Sequence, residues 1–157
     1  MNFFRRAGAA VSIILFFLAF PAAAGEWILP DIPGFKAEQE DRTPLEAPSG
    51  AYGLWLVRTY AGEGGRRMKA TIMAGPGAGP LMTAPEGTQS NDRPLGFGST
   101  YEVFLLNGKT AVFETVPSLG SSLAVAAGGD ATLTLESASL SREELEKAAL
   151  VILGKQE

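Results

Sequence analysis

Alternation of hydrophobic and polar positions predicts strands in the first half of the chain. Residues 52–60 (YGLWLVRTY) are rich in aromatic and β-branched side chains, and residues 68–74 (MKATIMA) place an apolar side chain at every second position. The glycine-rich residues 62–65 lie between them. This arrangement predicts a hairpin of two strands.

The same pattern continues in the second half. Residues 101–106 and 109–115 flank Asn107-Gly108, the dipeptide that supplies the two positive φ angles of a type I′ turn. Residues 119–127 and 131–136 flank a second glycine-containing turn, and the last of these segments alternates leucine with polar residues. The sequence therefore predicts two further hairpins with one buried and one solvated face.

The periodicity changes from two to 3.6 residues at the end of the chain. Ser141 and Glu144 have the spacing of a capping box, in which each side chain accepts a hydrogen bond from the other residue's backbone amide. A helix is predicted from residue 142 to about residue 153, with Gly154 as its stop. The predicted fold class is α+β: an antiparallel meander sheet of about six strands packed by one C-terminal helix.

Two segments lack such a pattern. Residues 25–50 contain four prolines and predict an extended lead-in with at most short edge strands, whose apolar residues attach it to the domain or dock on a partner. Residues 75–99 are rich in glycine and proline and predict a long loop within a single domain of residues 51–157. A loop of that length is either a binding element or a loosely packed excursion.

The first 24 residues have the three parts of a secretory signal peptide. Arg5 and Arg6 form the charged end, residues 7–20 are almost wholly apolar, and Ala22 and Ala24 offer a peptidase small side chains. We predict cleavage after Ala24 and export to the periplasm or the medium. The alternative is an uncleaved anchor, because the apolar stretch approaches the ~20 residues that a membrane span requires.

Net charge argues against several kinds of partner. The whole chain has 13 Lys and Arg against 17 Asp and Glu, and without residues 1–24, which contain Arg5 and Arg6, the balance is 11 − 17 = −6. An acidic surface repels nucleic-acid phosphates and anionic lipid headgroups. We therefore expect neither nucleic-acid binding nor membrane docking once the leader is removed.

The composition also limits catalysis. The chain has no Cys and no His, which excludes disulfides, thiolate nucleophiles, Ser-His-Asp triads and Cys/His zinc sites. No cofactor motif or metal-ligand cluster occurs, so we predict no cofactor, no metal and no catalytic activity. The alternative is a hydrolase that uses carboxylates, for which Glu114 is the candidate.

One resemblance extends over residues 98–153. The segments GSTYEVFLLNGKTAVFE and LTLESASLSREELEKAALVIL, with a hairpin between them, resemble the C-terminal module of uncharacterised small α+β domains in bacterial envelope and anti-sigma-type regulatory proteins. In those domains a strand pair around an Asn-Gly turn precedes a final strand, a Leu-Ser-x-Glu-Glu-Leu cap and a helix. The resemblance implies a non-enzymatic domain that binds or senses something in the envelope.

Aromatic residues provide the candidate binding surface. The strand around Trp55 is apolar on both sides, so a second layer covers it or an apolar surface is exposed to a ligand. We predict an exported accessory domain that binds an envelope protein or a small apolar molecule in a groove between the sheet, the lead-in and the long loop. The candidate binding residues are Trp27, Trp55, Leu81, Met82, Phe97 and Tyr101.

Overall fold

A computed structural model describes residues 26–94 and 96–156, so the predicted leader at residues 1–24 lies outside the described residues. The described part of the chain forms nine strands and one α-helix. They are β1 (Phe35–Ala37), β2 (Asp41–Ala47), β3 (Gly50–Gly62), β4 (Arg67–Ala74), β5 (Gln89–Asn91), β6 (Thr100–Leu106), β7 (Lys109–Val116), β8 (Gly120–Gly128), β9 (Ala131–Ser137) and α1 (Arg142–Leu153).

All strands join one antiparallel sheet in the order β1-β3-β4-β9-β8-β7-β6-β5, and β2 pairs with β3 on the same edge as β1. The α+β class is confirmed, but the predicted number of about six strands is wrong. The additional strands are β1, β2 and β5, which lie at the edges of the sheet. The side chains of β2 and β5 are mostly exposed on both faces, so selection for burial leaves no alternating pattern, and β1 has only three residues. Pro44 within β2 also argues against a strand at the level of sequence, because proline cannot donate to a strand ladder.

The tight turn between β6 and β7 is confirmed. Asn107 and Gly108 have φ angles of 49° and 77°, as a type I′ turn requires. The meander is continuous from β5 to β9, and β9 then pairs with β4. Residues 75–88 must therefore carry the chain from β4, near one edge, to β5 at the opposite edge.

Helix α1 begins and ends where the sequence predicts. The Ser141 hydroxyl accepts from the Glu144 amide (3.3 Å), and the Glu144 carboxylate accepts from the Ser141 amide (2.9 Å). That backbone hydrogen bond and the Arg66 guanidinium lower the pKa of Glu144. No helix among residues 26–94 and 96–156 is long and apolar enough to cross a membrane.

The core lies between α1 and one face of the sheet. Leu145, Ala149 and Ile152 of α1 are fully buried against alternate residues of the strands, because successive strand side chains point to opposite faces. The sheet residues of this core are Leu56, Tyr60, Met68, Ala70, Ile72, Ala74, Leu106, Ala111, Leu123, Val125, Ala131, Leu133 and Leu135.

Residues 26–34, here called the N-terminal arm, belong to the same core. Leu29 and Ile32 are only 2% and 5% exposed. The arm precedes the first strand, and side chains of β3 bind its backbone: Arg58 donates to the Leu29 carbonyl, and the Tyr60 hydroxyl donates to the Pro30 carbonyl at 2.8 Å. The lead-in is therefore packed onto the domain, with its backbone polar groups satisfied by side chains.

The arm is also bound at its first residues. The Gln156 side chain accepts from the Ile28 amide (3.0 Å) and donates to the Ile28 carbonyl (2.7 Å), while Arg42 donates to the Trp27 carbonyl (2.8 Å). The Glu40 carboxylate accepts from the Leu29 amide (2.9 Å). The start of the described chain is thereby held beside the end of α1.

A close approach of two strands requires glycine at position 53. Gly53 has a φ of 149°, and a Cβ there would lie 2.1 Å from the backbone oxygen of Ala74.

We predict that Gly53→Ala lowers the free energy of unfolding by about 3 kcal/mol or more, through backbone strain and overpacking. Gly34 also has a positive φ, but no atom lies within 4 Å of the place that a Cβ would take, so Gly34→Ala should cost only about 1 kcal/mol. Equal urea midpoints for the two variants would contradict the packing described.

Burial of Tyr60 predicts a pH dependence of stability. Desolvation raises the pKa of Tyr60 to about 12, although the neighbouring Arg58 opposes the shift. The pKa of Tyr60 is higher in the folded protein than its value of about 10 in the unfolded chain. The stabilisation of the fold by the neutral phenol is therefore complete below pH ~10 and is lost as the pH rises towards 12. Tyr60→Phe should cost about 1 kcal/mol at neutral pH and abolish this part of the alkaline loss. Urea titrations at pH 8 and pH 11 measure both effects, and an identical alkaline loss in the two proteins would refute the assignment.

Candidate functional site

The sheet face opposite α1, here called the open face, is covered by no α-helix among the described residues. Its residues follow from the strand registers, since they alternate with the core residues. They include Trp55 and Val57 of β3, Thr71 and Met73 of β4, Thr132 and Thr134 of β9, Ala124 and Ala126 of β8, and Val112 and Glu114 of β7.

One part of the open face, at Val103, is not exposed to solvent. Val103 of β6 points to this face yet is only 1% exposed, and it stands outside the core cluster beneath α1. Gly87 donates to the Val103 carbonyl (2.8 Å), and the Val103 amide donates to the Thr88 carbonyl (2.9 Å). We infer that the segment before Thr88 folds over β6, because strand neighbours alone leave the top of a side chain exposed.

The opposite part of the open face carries an apolar patch. Trp55 and Met73 are directly opposed on β3 and β4 and are 45% and 39% exposed. Val57 lies next to them on β3, and Leu45 lies on the adjacent edge strand, where it pairs with Gly53. We call Leu45, Trp55, Val57 and Met73 the Trp55 patch. Exposed apolar surface that an adjacent layer does not cover is typical of interaction sites.

The structure does not bring the six predicted binding residues together. Trp27 packs against the core on the helix side, so it faces away from Trp55. Tyr101 lies on the open face opposite Glu114, but it is five strand steps from Trp55, or about 24 Å. A single groove formed by these residues is therefore a wrong expectation.

The remaining three predicted residues lie in the connections. Leu81 is half-buried and Met82 is 86% exposed, both between β4 and β5, whereas Phe97 is 89% exposed between β5 and β6. The predicted loop at residues 75–99 is thus interrupted by β5. Of its exposed apolar side chains, Met82 precedes that strand in the sequence and Phe97 follows it.

Glu114 lies in a cleft of about 370 Å³ on the open face. In the strand registers Ser122 is directly opposite both Glu114 and Glu136, which places the two glutamates about 10 Å apart across two strand steps. Glu136 also pairs with Lys69 at 2.6 Å. The described residues contain no group of three or more acidic side chains arranged to hold a metal ion.

Arg142, the first residue of α1, covers the other end of the core face. Its guanidinium carbon lies 4.4 Å from the ring centre of Phe104 and 5.2 Å from that of Phe113. It donates to Glu146 (2.7 Å) and to Glu102 (2.8 Å), and these carboxylates raise the pKa of Arg142 further above its ordinary value. Both rings and Glu102 therefore lie on the helix side of the sheet.

Sequence reasoning missed Met73 and Arg142. The alternation of β4 assigns Met73 to the solvated side, and its contact with Trp55 requires the register of the β3–β4 hairpin. From the sequence alone, Arg142 is an ordinary exposed residue at the start of a helix. Only the packing of α1 on the sheet brings its side chain to β6 and β7. The local sequence carries no signal for either contact.

The exposure of Trp55 predicts a small effect on stability. Trp55→Thr should change the free energy of unfolding by less than about 1.5 kcal/mol, because the replaced ring lies on the open face and threonine suits a strand. Leu56→Ala, at the fully buried neighbouring position, should cost about 2–5 kcal/mol. Urea unfolding of both variants measures the contrast, and a larger loss for Trp55→Thr would mean that a second layer covers the open face.

Comparisons of the chain with protein-family models, with curated protein sequences and with solved structures found no significant match.

Proposed function

We propose that this protein is an exported, non-catalytic accessory domain that binds a protein partner in the cell envelope through the Trp55 patch. The observation that carries the proposal is the exposure of Trp55 and Met73 side by side on a sheet face that α1 leaves open. The assignment to the envelope rests on the sequence of residues 1–24. If the leader stays uncleaved, the same domain would serve as a membrane-anchored structural protein.

A protein partner suits the patch better than a small apolar molecule. The patch lies on adjacent strands of one sheet face, whereas small-ligand sites bury ~70–90% of the ligand in a concave pocket. Tryptophan and methionine are enriched where proteins contact one another. The acidic balance of the chain argues against phosphate-rich partners.

A carboxylate-dependent hydrolase is the second candidate, because Glu114 and Glu136 line the same cleft. The strand register places their Cα atoms about 10 Å apart, which leaves room for the ~6.5–9.5 Å between carboxyl groups in inverting glycoside hydrolases. Glu136 is engaged by Lys69, and both glutamates are exposed to solvent. Such surroundings offer little of the water exclusion on which electrostatic catalysis depends.

Site-specific photo-crosslinking tests the partner proposal. Benzoylphenylalanine replaces Trp55 in one variant and Leu150 in the control, which is 40% exposed on α1. Irradiation of cells of the encoding organism should yield a discrete protein adduct from position 55 and none from position 150. A further Met73→Glu substitution should remove the adduct, because it places a charge within the patch.

Three results would contradict the partner proposal. The first is no adduct from position 55 in exported protein, and the second is the same adducts from positions 55 and 150. The third is an adduct with the mass of a small molecule, which would assign the patch to an apolar ligand.

Hydrolysis can be tested separately with p-nitrophenyl glycosides and esters. We expect no turnover above that of the Glu114→Gln variant, because the proposal assigns Glu114 no catalytic role. Turnover by the unaltered protein that Glu114→Gln abolishes, with unchanged thermal stability, would favour the hydrolase.

A further inference from the structure

Methionine is the only sulfur-containing residue in this chain, which has four methionines and no cysteine. Three of the methionines lie in the described part of the chain, and they differ widely in exposure. Met68 is 1% exposed, Met73 is 39% exposed and Met82 is 86% exposed. An oxidant must reach a thioether to oxidise it, so Met73 and Met82 are open to oxidation and Met68 is protected.

Met73 differs from Met82 in its surroundings. It stands directly opposite Trp55 in the register of β3 and β4. Directly opposed strand residues have Cβ atoms ~4.5–5.5 Å apart, a separation at which a thioether contacts an aromatic ring. Met82 lies outside the strands, in the connection between β4 and β5. Of the exposed methionines in the described chain, only Met73 belongs to the Trp55 patch.

We propose that Met73 is a site of reversible oxidation, at which hydrogen peroxide converts the thioether to a sulfoxide and so releases the protein partner from the Trp55 patch. This inference rests on the proposed function, because it concerns the regulation of the same surface. A lone pair of the Met73 sulfur attacks one peroxide oxygen, an S–O bond forms and the O–O bond breaks. The proton of the transferred hydroxyl passes to the departing oxygen, which leaves as water. The sulfur loses two electrons and the peroxide gains them.

The thioether is restored by a second reaction. A dithiol reduces the sulfoxide, and the products are the thioether, a disulfide and water. Methionine sulfoxide reductases catalyse this reduction. The chain has no thiol of its own, so the dithiol belongs to another molecule.

Oxidation changes the surface that the partner meets. A thioether is apolar, whereas a sulfoxide is polar and its oxygen accepts hydrogen bonds. Water solvates that oxygen in the free protein, because Met73 is exposed. A partner that covers the patch removes this water, and a polar group buried without its hydrogen bonds weakens the complex.

The fold itself tolerates the sulfoxide. Side chains alternate along β4, so Met73 lies on the open face while its neighbour Ile72 is fully buried on the core face. The core contacts of β4 therefore do not involve the oxidised sulfur. Oxidation at this position should alter binding without unfolding the domain.

Peptide mass spectrometry of the native protein treated with hydrogen peroxide tests the site. Met82 should oxidise at about the rate of free methionine, Met73 within about tenfold of that rate, and Met68 about a hundredfold more slowly, in the order of their exposure. The thermal midpoint should stay near that of the untreated protein. Oxidation of Met73 as slow as that of Met68, or unfolding caused by the Met73 sulfoxide, would overturn the proposal.

Photo-crosslinking of oxidised protein tests the consequence for binding. The variant with benzoylphenylalanine at position 55 also carries Met82→Leu, so that Met73 is its only exposed methionine among the described residues. The purified protein is treated with peroxide, separated from it, and irradiated in an envelope extract of the encoding organism. The Met73 sulfoxide should lower the yield of the partner adduct about fivefold or more, and a sulfoxide reductase with dithiothreitol should restore it.

A matched control carries Met73→Leu and keeps Met82. Leucine has a similar volume and no sulfur, so its adduct yield should be the same before and after peroxide treatment. No adduct from the unoxidised protein would overturn both the proposed function and this inference. An adduct that forms equally well with the Met73 sulfoxide, or an equal loss in the Met73→Leu control, would overturn the inference about Met73 alone.

Discussion

One helix must cover a sheet that is wider than the helix can reach. Eight strand positions span about 34 Å across the sheet, whereas a twelve-residue helix is about 18 Å long and 10 Å wide. Helix α1 packs mainly on β8 and β9, near the centre of the core face. The two flanks of that face therefore need other cover, and the chain provides it in two different ways.

On one flank the N-terminal arm serves as an irregular second layer. Leu29 and Ile32 supply apolar contacts, and Arg58 and Tyr60 bind the arm's carbonyl groups. On the other flank the Arg142 guanidinium spreads over Phe104 and Phe113, where Glu102 and Glu146 balance its charge. The described chain has no further α-helix for the open face, which leaves Trp55 and Met73 in contact with solvent.

The sequence predicts features that depend on neighbouring residues. Asn107-Gly108 and the Ser141 capping box act over two to four residues, and both are found where they were expected. Edge strands are less predictable, because β2 and β5 are mostly exposed and are held by backbone pairing with one neighbouring strand each. The position of Trp55 on an uncovered face depends on which face α1 selects, and that choice involves contacts between distant parts of the chain.

The same distinction between local and long-range features applies to the candidate binding residues. Exposed aromatic residues can be identified from composition, and Trp55 is one of them. Their assembly into a site depends on strand order: Trp27 lies on the helix side, and Tyr101 is about 24 Å away across the sheet. Met73 enters the Trp55 patch only through the register of β3 against β4.

Fluorescence of Trp55 tests most directly whether the face opposite α1 is open. The chain has two tryptophans, so Trp27→Phe leaves Trp55 as the only reporter. If the face is open, Trp55 should show emission typical of a solvated indole and efficient quenching by iodide in the native protein. Blue-shifted emission that iodide fails to quench until the protein unfolds would mean that Trp55 is covered, and would contradict the one-sided architecture.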